Sequence, residues 1–271
     1  MTNSTTRIAI VTGAGSGMGA ATAAALADAG LTVVLVGRRQ PQLDAVAATI
    51  ATHGGVAYAR ACDITEGAAI AALIEWVHRE LGPIDVLVNN AGSSSTVLNP
   101  RWTSEAEWRQ VLEVNLTAVF LLTQAVLPDM LGTRDGERGR GGTIVTVSSL
   151  AAVTPNLLGG AAYGAAKAGV RNFMTFLHTT FRNDGLRAIT VLPGEADTPI
   201  LDNRARPPRA DERANMVRPD DVAEAIRLAV TLPERVVLQE IVVAPTRQRD
   251  VSGDLDVSRW LGAPDDLRPR A

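Results

Sequence analysis

The sequence predicts one α/β domain, a doubly wound parallel sheet of about seven strands with helices on both faces. Three observations predict it. Short apolar, β-branched runs alternate with longer helix-forming segments from Arg7 to Val243, as they must when each strand returns through a helix to the same sheet. No internal repeat or break in composition marks a second domain. The first run meets a glycine-rich turn and then an alanine-rich segment, a strand, turn and helix at the amino terminus.

Composition suits this class and excludes others. Of the 271 residues, 46% are hydrophobic, 20% are charged and 24 are glycine, which fits a compact fold with tight turns. A net charge of -3 without a basic stripe argues against a nucleic-acid partner. The single cysteine, Cys62, excludes an internal disulfide and a Cys-based zinc site, and at a strand end it reads as a core residue. His53, His78 and His178 form no metal-ligand pair, so no metal is expected. Met1 to Thr6 is polar, is expected to be disordered and lacks the order of a signal peptide; no apolar run reaches the roughly 18 residues of a membrane span. A cytoplasmic protein without membrane contact is expected.

Arg7 to Thr12 (RIAIVT) is the first strand and Met18 to Ala29 the first helix. Between them, Gly13, Ser16, Gly17, Met18 and Gly19 lie in a turn whose missing Cβ atoms let backbone approach a phosphate, with the helix amino terminus facing the anion. Dinucleotide binding follows as the reading. Leu31 to Gly37 (LTVVLVG) is the second strand, ahead of Arg38-Arg39 and a helix from about Gln40 to His53. At this strand end a carboxylate would select NAD; two guanidiniums suit the 2′-phosphate of NADP, or else form a solvated basic turn. Val56 to Ala61 is the third strand, and Asp63 either contacts adenine or caps the helix that starts near Glu66 and ends by Gly82-Pro83.

Ile84 to Val88 is the fourth strand, closing on Asn89-Asn90-Ala91-Gly92 at a carboxyl end, where open α/β sheets bind ligands. Glu105 to Gly132 reads as one long helix with Asn115 in an apolar stretch, and Thr133 to Gly142 as an exposed loop. Thr143 to Val147 is the fifth strand, followed by Ser148-Ser149; a helix from Ala161 to Thr180 then carries Tyr163 and Lys167 one turn apart on one face. The ammonium would favour phenolate and bring the phenol toward acid-base work at neutral pH. Leu186 to Leu192 is the sixth strand, and Pro193-Gly194-Glu195-Ala196-Asp197-Thr198 follows it. Ile200 to Met216 reads as a lid over the substrate, Pro219 to Thr231 as a helix and Leu238 to Val243 as the seventh strand. The chain from 251 onward reads as a polar tail in which Trp260-Leu261 docks on this subunit or another.

Together TGAGSGMG (Thr12 to Gly19), NNAG (Asn89 to Gly92), Asn115, Ser149 ahead of YGAAK (Tyr163 to Lys167), and Pro193-Gly194 with Thr198 resemble the short-chain dehydrogenase/reductase family in its one-domain, Rossmann-type form. The resemblance covers about Arg7 to Val243 and implies hydride transfer between NADP(H), with NAD as the alternative, and a small carbonyl or secondary alcohol. It implies Tyr163 as general acid or base, Lys167 on the nicotinamide ribose, Ser149 on the substrate oxygen and Asn115 on a water that returns protons. Asn90, Ala91, Gly92, Pro193, Gly194 and Thr198 would contact the cofactor, Thr198 at the carboxamide. Ser149 lies fourteen residues before Tyr163, so Ser148 is its competitor, and Ser16 stands where many NADP-dependent members are basic. NADP preference then rests on Arg38, with Arg39 beside it.

The carboxyl-terminal third resembles bacterial NADP-dependent 3-hydroxy acid and serine dehydrogenases and some antibiotic-pathway reductases. The family also implies a homotetramer, or a dimer, through Glu105 to Gly132, Ala161 to Thr180 and the last helix and strand. A non-catalytic cofactor-binding regulator is the reading from another class. Glu195 and Asp197 read as caps or turn formers. A substrate pocket is expected near Ser93 to Leu98, Ala151 to Leu158 and Glu195 to Arg206, with Arg204 and Arg206 leaving room for an acid group.

Overall fold

The computed structural model describes residues 6–131 and 139–268. Seven parallel strands form one sheet in the order β3-β2-β1-β4-β5-β6-β7: β1 (Ile8–Thr12), β2 (Thr32–Gly37), β3 (Val56–Ala61), β4 (Val86–Asn89), β5 (Gly142–Val147), β6 (Leu186–Pro193) and β7 (Glu240–Val243). The helices are α1 (Gly17–Asp28), α2 (Gln40–Thr52), α3 (Gly67–Glu80), α4 (Glu105–Leu112), α5 (Ala118–Leu131), α6 (Ala161–Phe181), α7 (Ala210–Arg213), α8 (Pro219–Thr231) and α9 (Ser252–Trp260).

Strand alternation explains the two layers, because successive side chains point to opposite faces. Ala9, Val11, Val33 and Leu35 meet Leu26 of α1, Leu43 and Ile50 of α2 and Ile226 of α8 on one face. Ile8, Ile10, Val34 and Val36 meet Leu73 and Val77 of α3, Leu122 and Met130 of α5 and Leu177 of α6 on the other. The expected class, a Rossmann-type sheet covered on both faces, is the one found. Strand order reverses between β1 and β4, so their carboxyl ends open a crevice for ligand.

Several expectations change. The long helix is interrupted by a π turn, Glu113–Thr117, which places Asn115 in its widened backbone. Taken as one element, Glu105–Leu131 reaches the length and hydropathy of a membrane span, against the expectation that no stretch would. Its inward side chains, among them Val111, Ala118, Leu122 and Val126, are fully buried on the sheet, as in a core helix. Residues 200–216, expected as a lid, contain a turn of 3-10 helix (Pro199–Asn203) and α7, and are held by ion pairs from Arg204, Arg206 and Arg213. The expected polar tail includes helix α9, which docks on this same chain through Asn99 and Trp102, both donating to the Arg259 carbonyl. The loop expected at Thr133 to Gly142 and the segment Met1 to Thr6 lie largely outside the described residues.

Candidate active site

A cleft of about 650 Å³ runs along the carboxyl ends of the central strands, from Arg38, Arg39 and Asp63 at one end to Ser148, Tyr163 and Lys167 at the other. Gly13, Ser16, Gly17, Met18, Asn90, Ala91, Gly92 and Thr198 form its middle. Bonds between side chain and backbone set that middle. The Thr12 hydroxyl accepts from the N–H groups of Asn90 and Ala91, each at 3.0 Å, and the Asn90 amide donates to the Thr12 carbonyl at 2.9 Å. A Cβ at Gly19 would stand 2.3 Å from the Gly13 carbonyl oxygen, so only glycine lets α1 start this close to the turn. Gly17 has φ +53°, and its missing Cβ would point toward Thr198 across the cleft.

These features fit a dinucleotide. Ser16 makes no side-chain cap on α1 and the first turn holds no acid, which leaves helix N–H groups and the positive dipole end for a pyrophosphate. Arg38 and Arg39 are exposed at the cleft end and enter no ion pair among the described residues, as a phosphate site requires. Asp63 accepts from the Thr65 N–H at 3.0 Å and hydroxyl at 2.7 Å; these bonds, with the Arg38 charge, hold its carboxyl below the usual value. Of its two expected roles, capping is not the one taken, because Glu66 is the cap residue of α3.

At the inner end α6 presents Tyr163 and Lys167 on one face, the Lys167 Nζ 5.5 Å from the phenol ring centroid. Lys167 is buried and donates to the Val147 carbonyl at 2.8 Å, and burial pulls its pKa down to about 8. Burial pushes the Tyr163 phenol up, against the pull of a hydrogen bond with Ser149 and of the Arg204 charge. The expectation that Lys167 lowers the phenol is therefore corrected: in the protein's own environment desolvation wins over neighbouring charge.

The two candidate serines separate by geometry. Ser148 is buried and its hydroxyl donates to the Lys167 carbonyl at 2.9 Å, a structural tie between β5 and α6. Ser149 is outside the cleft lining but close enough to bear on the Tyr163 phenol, and its hydroxyl accepts from the Ala151 N–H at 3.1 Å. Asn115 does not line the cleft. Its amide donates to the carbonyls of Ser93 and Val111, both at 2.8 Å, and its oxygen accepts from the Ser93 N–H at 3.3 Å, so it clamps the loop just after Gly92.

Pro193 and Gly194 also lie outside the cleft wall, and Gly194 donates to the Val243 carbonyl of β7 at 2.8 Å. Glu195 and Asp197 are ion-pair partners rather than caps, Glu195 to Arg204 and Arg249, Asp197 to Arg213. The expected pocket residues 151–158 do not line the cleft, whereas Gln42, Ile64, Gln110, Glu113 and Asn203 do. Gln110 and Glu113 precede Asn115 by five and two residues, and the helical face they share was the available signal.

A glycine turn at the switch point of a parallel sheet, leading to a tyrosine and a buried lysine one turn apart, defines a nicotinamide-dinucleotide oxidoreductase fold. The chain belongs to the short chain dehydrogenase family, whose profile matches residues 7–208, and is an NAD(P)-dependent enzyme of that family. It is 37% identical over 204 residues to a 3-oxoacyl-[acyl-carrier-protein] reductase of Synechocystis, spanning 75% of this chain and 79% of the relative. A metagenomic short-chain oxidoreductase solved in complex with NADP superposes with a TM-score of 0.75 at 34% identity, covering 89% of this chain and 98% of that one. A single-site variant of an actinorhodin polyketide ketoreductase, solved with NADPH, superposes with a TM-score of 0.80 at 29% identity, covering 90% and 98%.

Proposed function

We propose that this enzyme reduces the carbonyl of a small or medium-sized substrate with NADPH and that Tyr163 delivers the proton. The observation that carries the reading is the pairing of Tyr163 and buried Lys167 at the inner end of a cleft whose outer end holds Arg38 and Arg39, with Ser149 beside the phenol. The relatives' names support it, since they include a ketoreductase and proteins solved with NADP or NADPH.

When bound, the cofactor supplies the hydride. Gly13 to Gly19 and the α1 amino terminus would hold its pyrophosphate, Arg38 with Arg39 its 2′-phosphate, and Asn90 to Gly92 and Thr198 its nicotinamide half. Tyr163 acts as the general acid toward the carbonyl oxygen that Ser149 orients, and burial, which raises its phenol, favours the protonated form. Lys167, anchored on Val147, would turn its remaining donors to the ribose hydroxyls. Asn115 contributes by holding Ser93, and with it the Asn90 to Gly92 loop, in place. Phe120 and Phe176 are exposed on α5 and α6, and Leu228 and Val242 on α8 and β7; we read these faces as the contacts of a homotetramer.

The test is Tyr163→Phe. It is expected to lower kcat by about 100- to 10,000-fold, the range of a lost general acid, with NADPH binding by fluorescence titration retained. Turnover at the wild-type rate would sink the assignment.

A further inference from the structure

Six charges form a network that starts beside the cleft, Arg204, Glu195, Arg249, Asp254, Arg206 and Glu212, with Glu212 also 3.8 Å from Arg249. Arg249 meets Glu195 with Nε and Nη2, both at 2.8 Å, and reaches Asp254 with Nη1. Arg206 meets Asp254 at 2.6 Å and Glu212 at 2.9 Å. Arg204 meets Glu195 at 2.5 Å, through Nη1 alone. Burial works against the Glu195 carboxylate, but the hydrogen bonds of Arg249 and Arg204 hold it below its ordinary value, so it stays ionised. Each contact joins opposite signs, and the member nearest the cleft is a cation.

Arg204 differs from the other arginines of this region. Arg206, Arg213 and Arg249 each commit both Nη atoms to acids or carbonyls. Among the described residues, Nε and Nη2 of Arg204 have no hydrogen-bond partner. Glu195 does not depend on Arg204, because Arg249 already grips both of its oxygens. Arg204 follows directly on the turn Pro199–Asn203, of which Pro199, Ile200 and Asn203 line the cleft with Tyr163, and its side chain is 22% exposed. Its charge is felt at the Tyr163 phenol. A planar guanidinium edge with two open donor atoms matches the two oxygens of a carboxylate.

We propose that the open edge of Arg204 binds a carboxylate on the substrate whose carbonyl faces Tyr163, so that the enzyme's substrates are oxo acids and its products hydroxy acids. This rests on the reductase reading above. The carbonyl would take hydride at carbon from bound NADPH and a proton at oxygen from Tyr163, which solvent reprotonates, with NADP⁺ and the hydroxy acid leaving. Arg249 is a positioning residue that keeps Glu195 occupied and Arg204 open.

The experiment compares acetoacetate and levulinate with their methyl esters, using kcat/KM from NADPH absorbance, for the wild type, Arg204→Gln, Arg204→Lys and Glu224→Gln. The wild type is expected to prefer acid over ester, and Arg204→Gln to lower the acid-to-ester ratio by about 10- to 100-fold, the span of a charge-assisted hydrogen bond. Arg204→Lys should recover part of the ratio, and Glu224→Gln, in an exposed ion pair with Arg227 on α8, should keep it. A structural role alone would lower acid and ester together. Calorimetric titration of acetoacetate into the NADP⁺-loaded protein reads the site without turnover, and binding should weaken in Arg204→Gln. If no carbonyl is reduced yet acetoacetate binds in an Arg204-dependent way, the reductase reading falls and the anion site stands. If esters are reduced but neither the ratio nor acetoacetate binding responds to Arg204, the anion site is overturned. Should Arg204→Gln fail to fold, the Arg204→Lys and wild-type ratios decide by the same criteria.

Discussion

The two ends of the cleft are built by different physics. The dinucleotide half is made of backbone: the turn at Gly13 to Gly19 sits on the Asn90 loop through Thr12, with contacts too close for any Cβ at Gly19. Beside the Tyr163 end the structure is made of long side chains, where Arg204, Arg249 and Glu195 meet across 54 residues of sequence and α9 joins them through Asp254. Steric fit tolerates little change at single positions, whereas a web of ion pairs can be rewired residue by residue. One half can therefore hold the same cofactor while the other is free to change substrate.

The largest effect that would break this comparison lies in the turn. Gly19→Ala places a methyl 2.3 Å from a backbone carbonyl, and is expected to lower stability by about 1–3 kcal/mol and to remove measurable NADPH binding. A Gly19→Ala protein with wild-type melting temperature and NADPH affinity would show that close approach does not set this half.

Lys167 sits where the halves meet, and its burial can be read from stability. Its folded pKa, about 8, lies below the ordinary value near 10.5, so between these the unfolded chain binds a proton that the folded chain lacks. Stability should therefore rise with pH from about 8 toward 10, by up to about 1.4 kcal/mol per pH unit. The raised Tyr163 acts in the opposite direction only above its ordinary value of 10.0. Urea midpoints of the cofactor-free wild type and Lys167→Met, compared across this range, should diverge; parallel curves would mean that the ammonium is not desolvated.

The smallest predicted effect is at the outer rim. Arg38→Ala should reduce the NADPH-to-NADH ratio of kcat/KM by about 10-fold, as expected for one exposed charge-assisted phosphate contact, with little change in stability. An unchanged ratio would assign the preference to other groups.

How much was legible follows the same division. The strands, the helices and the glycine turn could be read locally, because apolar runs and missing Cβ atoms carry their meaning within a few residues. Tyr163 and Lys167 were legible through helix spacing, but the sign of the phenol shift was not, since burial depends on what packs over α6. Asn115 was visible as a polar residue in an apolar helix, yet its engagement of Ser93 depends on the π turn, a backbone state that residue preferences scarcely encode. Ser148 and Ser149 differ by one position on a strand end, and only the approach of α6 tells which hydroxyl meets its carbonyl and which is left beside the phenol.

Alone, the sequence determined the parallel doubly wound sheet, the dinucleotide turn and the tyrosine-lysine pair, because short-range sterics and periodicity specify each. Only the tertiary structure decided that burial raises the Tyr163 phenol, that Asn115 holds Ser93 behind the Asn90 to Gly92 loop, and that α9 folds onto its own subunit. It alone showed that Arg204 keeps an open edge while Arg206 does not. Which arginine is satisfied depends on acids as far away as Asp254, and no local pattern in a chain records which distant charges will meet.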